Sequence, residues 1–185
     1  MKKMIIPVLG IVALILFSCK DKQNDAANAP TKNYLVDMNG IDSLKLDMSK
    51  AELEKILDTT LTFQHIHVDG GFSDTLNIKY KEMDFVIYLE ETDSQSVAKL
   101  VGLKTEDSSC KTSVGIGVGS DKIKVINGYP GNKKYVALEY EEYPVRSKTK
   151  SVVAVMDTAG YRAIQFHILN RKVVCVEVTH YYEFY

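Results

Sequence analysis

The feature that most constrains the fold is a pattern of apolar residues that occurs twice, with an offset of 72 residues. An internal repeat of this kind predicts two copies of one structural unit, which bury their apolar faces together. The matched positions are Leu44 and Ile116, Leu46 and Val118, Leu53 and Val125, and Leu57 and Tyr129.

A helix signal stands near the start of each copy. Ser49 and Glu52 have the spacing of a capping box, and apolar residues at helical spacing follow them. In the second copy Asp121 occupies the position of a helix cap, and Pro130 and Gly131 end the run. We therefore expect one short helix in each copy.

Four segments with alternating apolar and polar residues follow each helix, which is typical of strands. They cover residues 61–68, 72–80, 83–89 and 97–104 in the first copy, and 134–143, 151–156, 161–169 and 173–179 in the second. The connecting turns are short, so neighbouring strands should be antiparallel. The predicted fold class is α+β, with two tandem repeats over residues 40–110 and 111–185, each a short helix followed by a four-stranded antiparallel sheet.

The second copy reads TSVGIGVGS over residues 112–120 and VINGY over residues 125–129. This motif resembles the repeat of the beta-lactamase-inhibitor-protein-like (BLIP-like) family. The first copy matches less closely over residues 44–57, where Asp47 stands in place of the glycine before the helix. The resemblance covers residues 40–179, and it implies a saddle-shaped sheet that grips a protein partner.

The chain begins with Lys2 and Lys3, continues with an apolar run over residues 4–17, and then has Ser18 before Cys19. The apolar run is too short to span a bilayer as a permanent helix. The sequence LFSC over residues 16–19 resembles the lipobox of bacterial lipoproteins, whose cysteine becomes the lipid-bearing first residue. We expect a signal peptide over residues 1–18 and lipidation at Cys19; the alternatives are a simple signal peptide or a short membrane anchor.

Residues 20–33 form a polar segment that cannot bury enough apolar area to order itself, so we expect residues 19–39 to comprise the lipidated cysteine and a flexible tether. By resemblance to lipoprotein sorting rules, Lys20 after the cysteine favours the outer membrane. Whether the protein faces the periplasm or the cell exterior stays open. Removal of residues 1–18 leaves 21 basic and 24 acidic residues, a net charge of −3, which argues against nucleic acid as a partner.

Candidate metal ligands and thiols are few. His65 and His67 point to the same face of a strand, the spacing that two metal ligands need, and Asp69, His167 or His180 would have to supply a third. No further motif calls for a metal, so we expect neither a metal nor another cofactor. Cys110 and Cys175 are the cysteines of the globular part, and the sequence leaves open whether they form a disulfide.

Signatures of catalysis are missing from the sequence. The GIGVG segment over residues 115–119 lacks the Lys-Ser/Thr pair of a P-loop, and neither cysteine has a neighbouring histidine. Glu139, Glu141 and Glu142 alternate with tyrosine, which is typical of a solvated edge strand. We therefore expect no enzymatic activity.

Tyrosines on or beside strands are the best lead to function, because a large ring binds with little loss of side-chain entropy. The candidates for partner binding are Tyr80, Tyr88, Tyr135, Tyr140 and Tyr143. The sequence favours a lipid-anchored, non-enzymatic module of the cell envelope that binds a protein or an envelope component. The alternative is a periplasmic module for a small ligand or a metal, built on His65 and His67.

Replacing Cys19 with Ala tests the anchor. The wild-type chain should fractionate with membranes after processing, whereas Cys19→Ala should be released or remain unprocessed. Membrane fractionation and mass spectrometry of the N-terminus measure this. A processed Cys19→Ala chain that still fractionates with membranes would exclude lipidation at Cys19.

Overall fold

Strands make up most of the computed structural model, which describes residues 33–62, 66–68, 71–91, 97–142, 145–159 and 161–180, without the side chains of 66–68, 71, 72, 138 and 140–142. The described residues form one compact unit. Within it there are twelve strands in two sheets and two helices. No helix in this part of the chain is long and apolar enough to cross a membrane.

The smaller sheet has four short strands in the order β3-β2-β1-β8. These are β1 (Tyr34–Asp37), β2 (Gly40–Ile41), β3 (Leu44–Lys45) and β8 (Cys110–Thr112). β1 and β8 pair in parallel, so the sheet joins the start of the described chain to its middle. β1 falls within residues 19–39, so the segment that the sequence predicts as a tether contains an ordered strand.

The larger sheet has eight strands in the order β4-β5-β6-β7-β12-β11-β10-β9. In the first half lie β4 (Ile66–Val68), β5 (Gly71–Tyr80), β6 (Met83–Glu91) and β7 (Lys99–Thr105). In the second half lie β9 (Lys134–Glu142), β10 (Val145–Met156), β11 (Arg162–Leu169) and β12 (Lys172–His180). Every neighbouring pair is antiparallel, and β7 pairs with β12.

The predicted α+β class with two separate helix-and-sheet repeats is wrong. The protein is mostly β, its two helices have eight and six residues, and the strands of both predicted repeats belong to one continuous sheet. The sequence also gives no sign of the smaller sheet. Its strands have two to four residues, too few for a period-two pattern to be recognised.

The core lies on one face of the large sheet. A row of paired residues crosses that face and is almost completely buried, consisting of Ile87, Leu103, Val178, Ile164 and Val155. Leu53 of helix α1 (Lys50–Leu57) and Val125 of helix α2 (Lys122–Asn127) belong to the same apolar cluster, and both have 0% exposure. The smaller sheet contributes its buried side chains to this cluster as well.

The capping box of α1 is confirmed. The Ser49 hydroxyl accepts from the backbone N–H of Glu52, and the Glu52 carboxylate accepts from the backbone N–H of Ser49. Asp121 is the N-cap residue of α2, but its side chain makes no capping hydrogen bond. α2 ends at Asn127 with Gly128 as its C-cap, two residues before the predicted stop at Pro130.

Two aspartates link the loops of the smaller sheet to the large sheet. Asp42 accepts from the Tyr80 hydroxyl over 2.8 Å and from Lys81 Nζ over 2.5 Å. The hydrogen bond from Lys81 lowers the pKa of Asp42 below its ordinary value. Asp47 pairs with Arg162 over 2.6 Å and with His180 Nε2 over 3.0 Å. These contacts fix the smaller sheet over the core face of the large one.

Charged substitutions on the two helices test this packing. Leu53→Asp or Val125→Asp would bury an unpaired carboxylate and should lower the free energy of unfolding by about 4 kcal/mol. The matched control is Ile123→Asp, because Ile123 lies on α2 with 57% exposure. Denaturant unfolding measures all three. Wild-type stability of Leu53→Asp or Val125→Asp would show that the helix in question does not cover the core.

Candidate functional site

The face of the large sheet turned away from the core carries mostly polar and small side chains. Residues paired across neighbouring strands point to the same side, so the register arranges them in rows. One row crosses seven strands and consists of Asn77, Val86, Lys104, Glu177, Gln165, Ala154 and Tyr135. Beside it run Thr75, Tyr88, Gly102, Thr179 and Ala163 on one flank, and Cys175, His167, Val152 and Ala137 on the other. We call these three rows the polar face.

A histidine between two glutamates lies in the second half of the polar face. His167 Nε2 is 2.8 Å from Glu177 Oε2, and its Nδ1 is 3.8 Å from Glu139 Oε1. The His167 and Glu177 side chains retain only 21% and 16% of their exposure. Both groups are already partly desolvated, so covering them with a partner removes little further water from them. Their charges also stand at fixed positions that a partner can match.

Tyr88 lies next to this cluster because of a glycine on the neighbouring strand. A Cβ atom on Gly102 would come within 2.9 Å of Tyr88 Cδ2 and 3.1 Å of Thr179 Oγ1. Gly102 therefore leaves the space that the tyrosine ring uses across the strand pair. Burial raises the pKa of the Tyr88 hydroxyl, and the negative charge of Glu177 raises it further, so the phenol stays protonated and able to donate a hydrogen bond.

Cys175 lies directly across from His167 in the strand register, and its Sγ is 3.7 Å from the Val176 carbonyl oxygen. Cys175 is only 3% exposed, and burial raises its pKa to about 12. The thiolate is the reactive form of cysteine, and at neutral pH it is almost absent here. The Cys175 thiol is therefore not an activated nucleophile.

A groove of about 740 Å³ lies where β5, β6 and β7 run side by side, at one end of the polar face. Its lining includes charged side chains of both signs and one valine, namely Lys79, Lys104, Asp84, Glu106, Asp107 and Val86. Lys104 and Val86 belong to the central row as well, so the groove continues directly from the polar face. We call it the strand-end groove.

The tyrosines predicted to bind a partner do not all lie on the same face of the large sheet. Tyr88 and Tyr135 lie on the polar face, where Tyr135 is 38% exposed and carries Lys133 Nζ 5.0 Å from its ring centroid. Tyr80 is a wrong candidate, because it is 6% exposed in the core and donates to Asp42. Tyr140 lies on β9, but its side chain is outside the described part, and so is all of Tyr143.

The structure places two of the three candidate third ligands, His167 and His180, far from His67 of the predicted histidine pair. His65 and Asp69 lie outside the described residues, and His67 lies on the edge strand β4. β12, with His180, is four strands away from β4, or about 19 Å at ~4.8 Å per strand. His167 lies one strand further, on β11. Among the described residues no group of three or more histidine, cysteine or acidic side chains could hold a metal ion.

Both cysteines of the globular part are free and buried, so the disulfide that the sequence left open is not formed. Burial raises the pKa of Cys110 to about 12, as it does for Cys175. Cys110 Sγ lies 3.5 Å from Met83 Sδ on the core side. Cys19, the predicted lipidation site, lies outside the described residues.

Sequence reasoning missed Lys104, Glu177 and Gln165, three of the central residues. The sequence does contain a signal for them. In β7, β11 and β12 polar residues alternate with apolar ones, which assigns these side chains to the face opposite the apolar residues. The alternation does not show that these side chains lie together, because only the pairing of β7 with β12 brings Lys104 opposite Glu177.

No protein-family model, no curated protein and no solved structure matches this chain.

Thiol labelling tests the geometry around Cys175. Iodoacetamide at pH 7 should leave Cys110 and Cys175 unmodified in the folded protein, because burial holds both thiols in the protonated form. Both should react after unfolding in guanidinium chloride, which serves as the control. Peptide mass spectrometry locates the label. Rapid alkylation of Cys175 in the folded protein would contradict the buried, unreactive thiol.

Proposed function

We propose that the chain is a lipid-anchored, non-enzymatic protein of the bacterial cell envelope that binds a protein partner on its polar face. The anchor rests on the sequence over residues 16–19 and on Cys19 as the lipidated residue. Lys20 favours the outer membrane as the location. The binding function rests on the described side chains of the large sheet.

The observation that carries the proposal is the central row of the polar face. Lys104 and Glu177 are opposite charges on paired strands, and aromatic rings stand at Tyr88 and Tyr135 on either side of them. Protein interfaces combine aromatic anchors with charges of defined position. The charged groups at His167 and Glu177 are largely buried, so their positions are held by the protein.

The size of the face favours a protein over a small molecule. The central row crosses seven strands with six gaps of ~4.8 Å, and three alternate rows span five residues, or ~16 Å, along a strand. The face therefore covers roughly 29 Å by 16 Å, or about 460 Å². A standard protein interface buries about 800 Å² on each partner. The polar face therefore provides more than half of the area that one partner contributes to such an interface.

The chemistry of the face favours binding over catalysis. Cys175 pairs with His167 in the strand register, and its raised pKa keeps it as a thiol. His167 already contacts Glu177, so its Nε2 is occupied in the structure. An acyl-transfer or hydrolytic mechanism would need an activated nucleophile beside a free base.

Tyrosine substitutions test the proposal once a partner is captured from envelope extracts, identified and purified. Tyr88→Ala or Tyr135→Ala should each weaken binding by about 2 kcal/mol, or roughly 30-fold, because both remove an aromatic anchor. Leu35→Ala is the control, since Leu35 is 50% exposed on the smaller sheet. Calorimetry with the purified partner gives the dissociation constants, and thermal melts verify folding.

Two results would contradict the proposal. One is unchanged affinity in both tyrosine variants. The other is a loss of affinity in Leu35→Ala that equals theirs, because the interface would then lie on the smaller sheet.

A further inference from the structure

The strand-end groove has charged walls that do not neutralise each other. Lys104 is half-buried on β7, and Glu106, the first residue after the end of β7, is exposed. Asp84, on β6, is exposed and lines the groove with them. Within the described residues, no ion pair joins Lys104 to Asp84 or to Glu106, although all three line one groove. Opposite charges that face a shared space without pairing can be bridged by a ligand that carries both signs.

The mixed charge limits the class of ligand. A phosphate or other dianion would be repelled by Asp84, Glu106 and Asp107, and a polycation would be repelled by Lys79 and Lys104. A zwitterion satisfies both sets, with a carboxylate toward lysine and an ammonium group toward the acids.

The spacing limits the length. Residues 104 and 106 are two positions apart in the chain, so their Cα atoms lie at most about 7 Å apart. An extended peptide of two residues spans about 7 Å between its ends. Val86 and Ile78 contribute apolar surface to the groove, which suits small aliphatic side chains. The groove volume of about 740 Å³ falls within the usual range for small-ligand sites, roughly 300–1,000 Å³.

We propose that the strand-end groove binds a short zwitterionic peptide of about two residues, with its carboxylate at Lys104 and its ammonium group between Asp84 and Glu106. This site can be tested without the protein partner proposed above, since a free peptide can reach the groove when the polar face is uncovered.

The probe is L-alanyl-L-alanine, titrated to millimolar concentration into the isotope-labelled full chain in detergent micelles. Saturable NMR shifts should appear at the amides of Val86, Lys104 and Glu106. The N-acetylated and C-amidated forms of the dipeptide each lack one charge. Each should bind about tenfold more weakly, the loss expected for one charged hydrogen bond.

Two variants assign the ends of the peptide. Lys104→Met should weaken the dipeptide about tenfold while leaving the affinity of the C-amide unchanged, because the amide has no carboxylate to lose. Glu106→Gln should weaken the dipeptide but not its N-acetyl form. The control is Lys99→Met, since Lys99 is an exposed lysine on the same strand outside the groove.

The site would be excluded by the absence of saturable shifts, by equal binding of the dipeptide and its two blocked forms, or by equal affinities of Lys104→Met and Lys99→Met. If Lys104→Met fails to fold, the dipeptide affinity of Glu106→Gln tests the site by itself, because the Glu106 side chain is exposed and its substitution should not disturb folding. None of these results depends on whether a protein partner is found.

Discussion

The pairing of β7 with β12 is the interaction on which the rest of the structure depends. It joins two four-stranded antiparallel halves, β4–β7 and β9–β12, into one eight-stranded sheet. In its register Leu103 meets Val178 on the core side, and Lys104 meets Glu177 on the polar side. Because the paired residues are about 70 positions apart in sequence, the contact costs considerable chain entropy, which burial on the core face offsets. The central row of the polar face exists only because these two strands are neighbours.

Local structure could be predicted well from the sequence. Period-two alternation located eight strands of the large sheet to within a few residues, with the exceptions of β10, which begins six residues earlier than predicted, and β4, described only from Ile66. The capping box at Ser49 and Glu52 fixed the start of α1, because its reciprocal hydrogen bonds depend on residues three positions apart. The predicted fold class was wrong because it depends on contacts that are not local. Which strands become neighbours depends on contacts between distant residues, and alternation carries no information about them.

In the candidate site, too, the local features could be predicted from the sequence and the long-range contacts could not. Tyr80 has the sequence parity of Leu76 and Ile78, so its placement in the core could have been read from the alternation of β5. Tyr88 has the opposite parity to Ile87 and Leu89, and the same rule places it on the polar face. The contact of His167 with Glu177 joins two strands, and the groove walls come from three, so neither feature was within reach of a local pattern.

Amide hydrogen exchange of the full chain, followed by NMR, tests the central claim that the large sheet is one structure joined at β7 and β12. The amides of these two strands should exchange most slowly, and those of β5, β6, β10 and β11 should lose protection together with them, at the free energy of global unfolding. The contradicting result is exchange of one half of the sheet at a lower free energy while the other half stays protected. In that case the halves would be separate units, and the polar face would not be one surface.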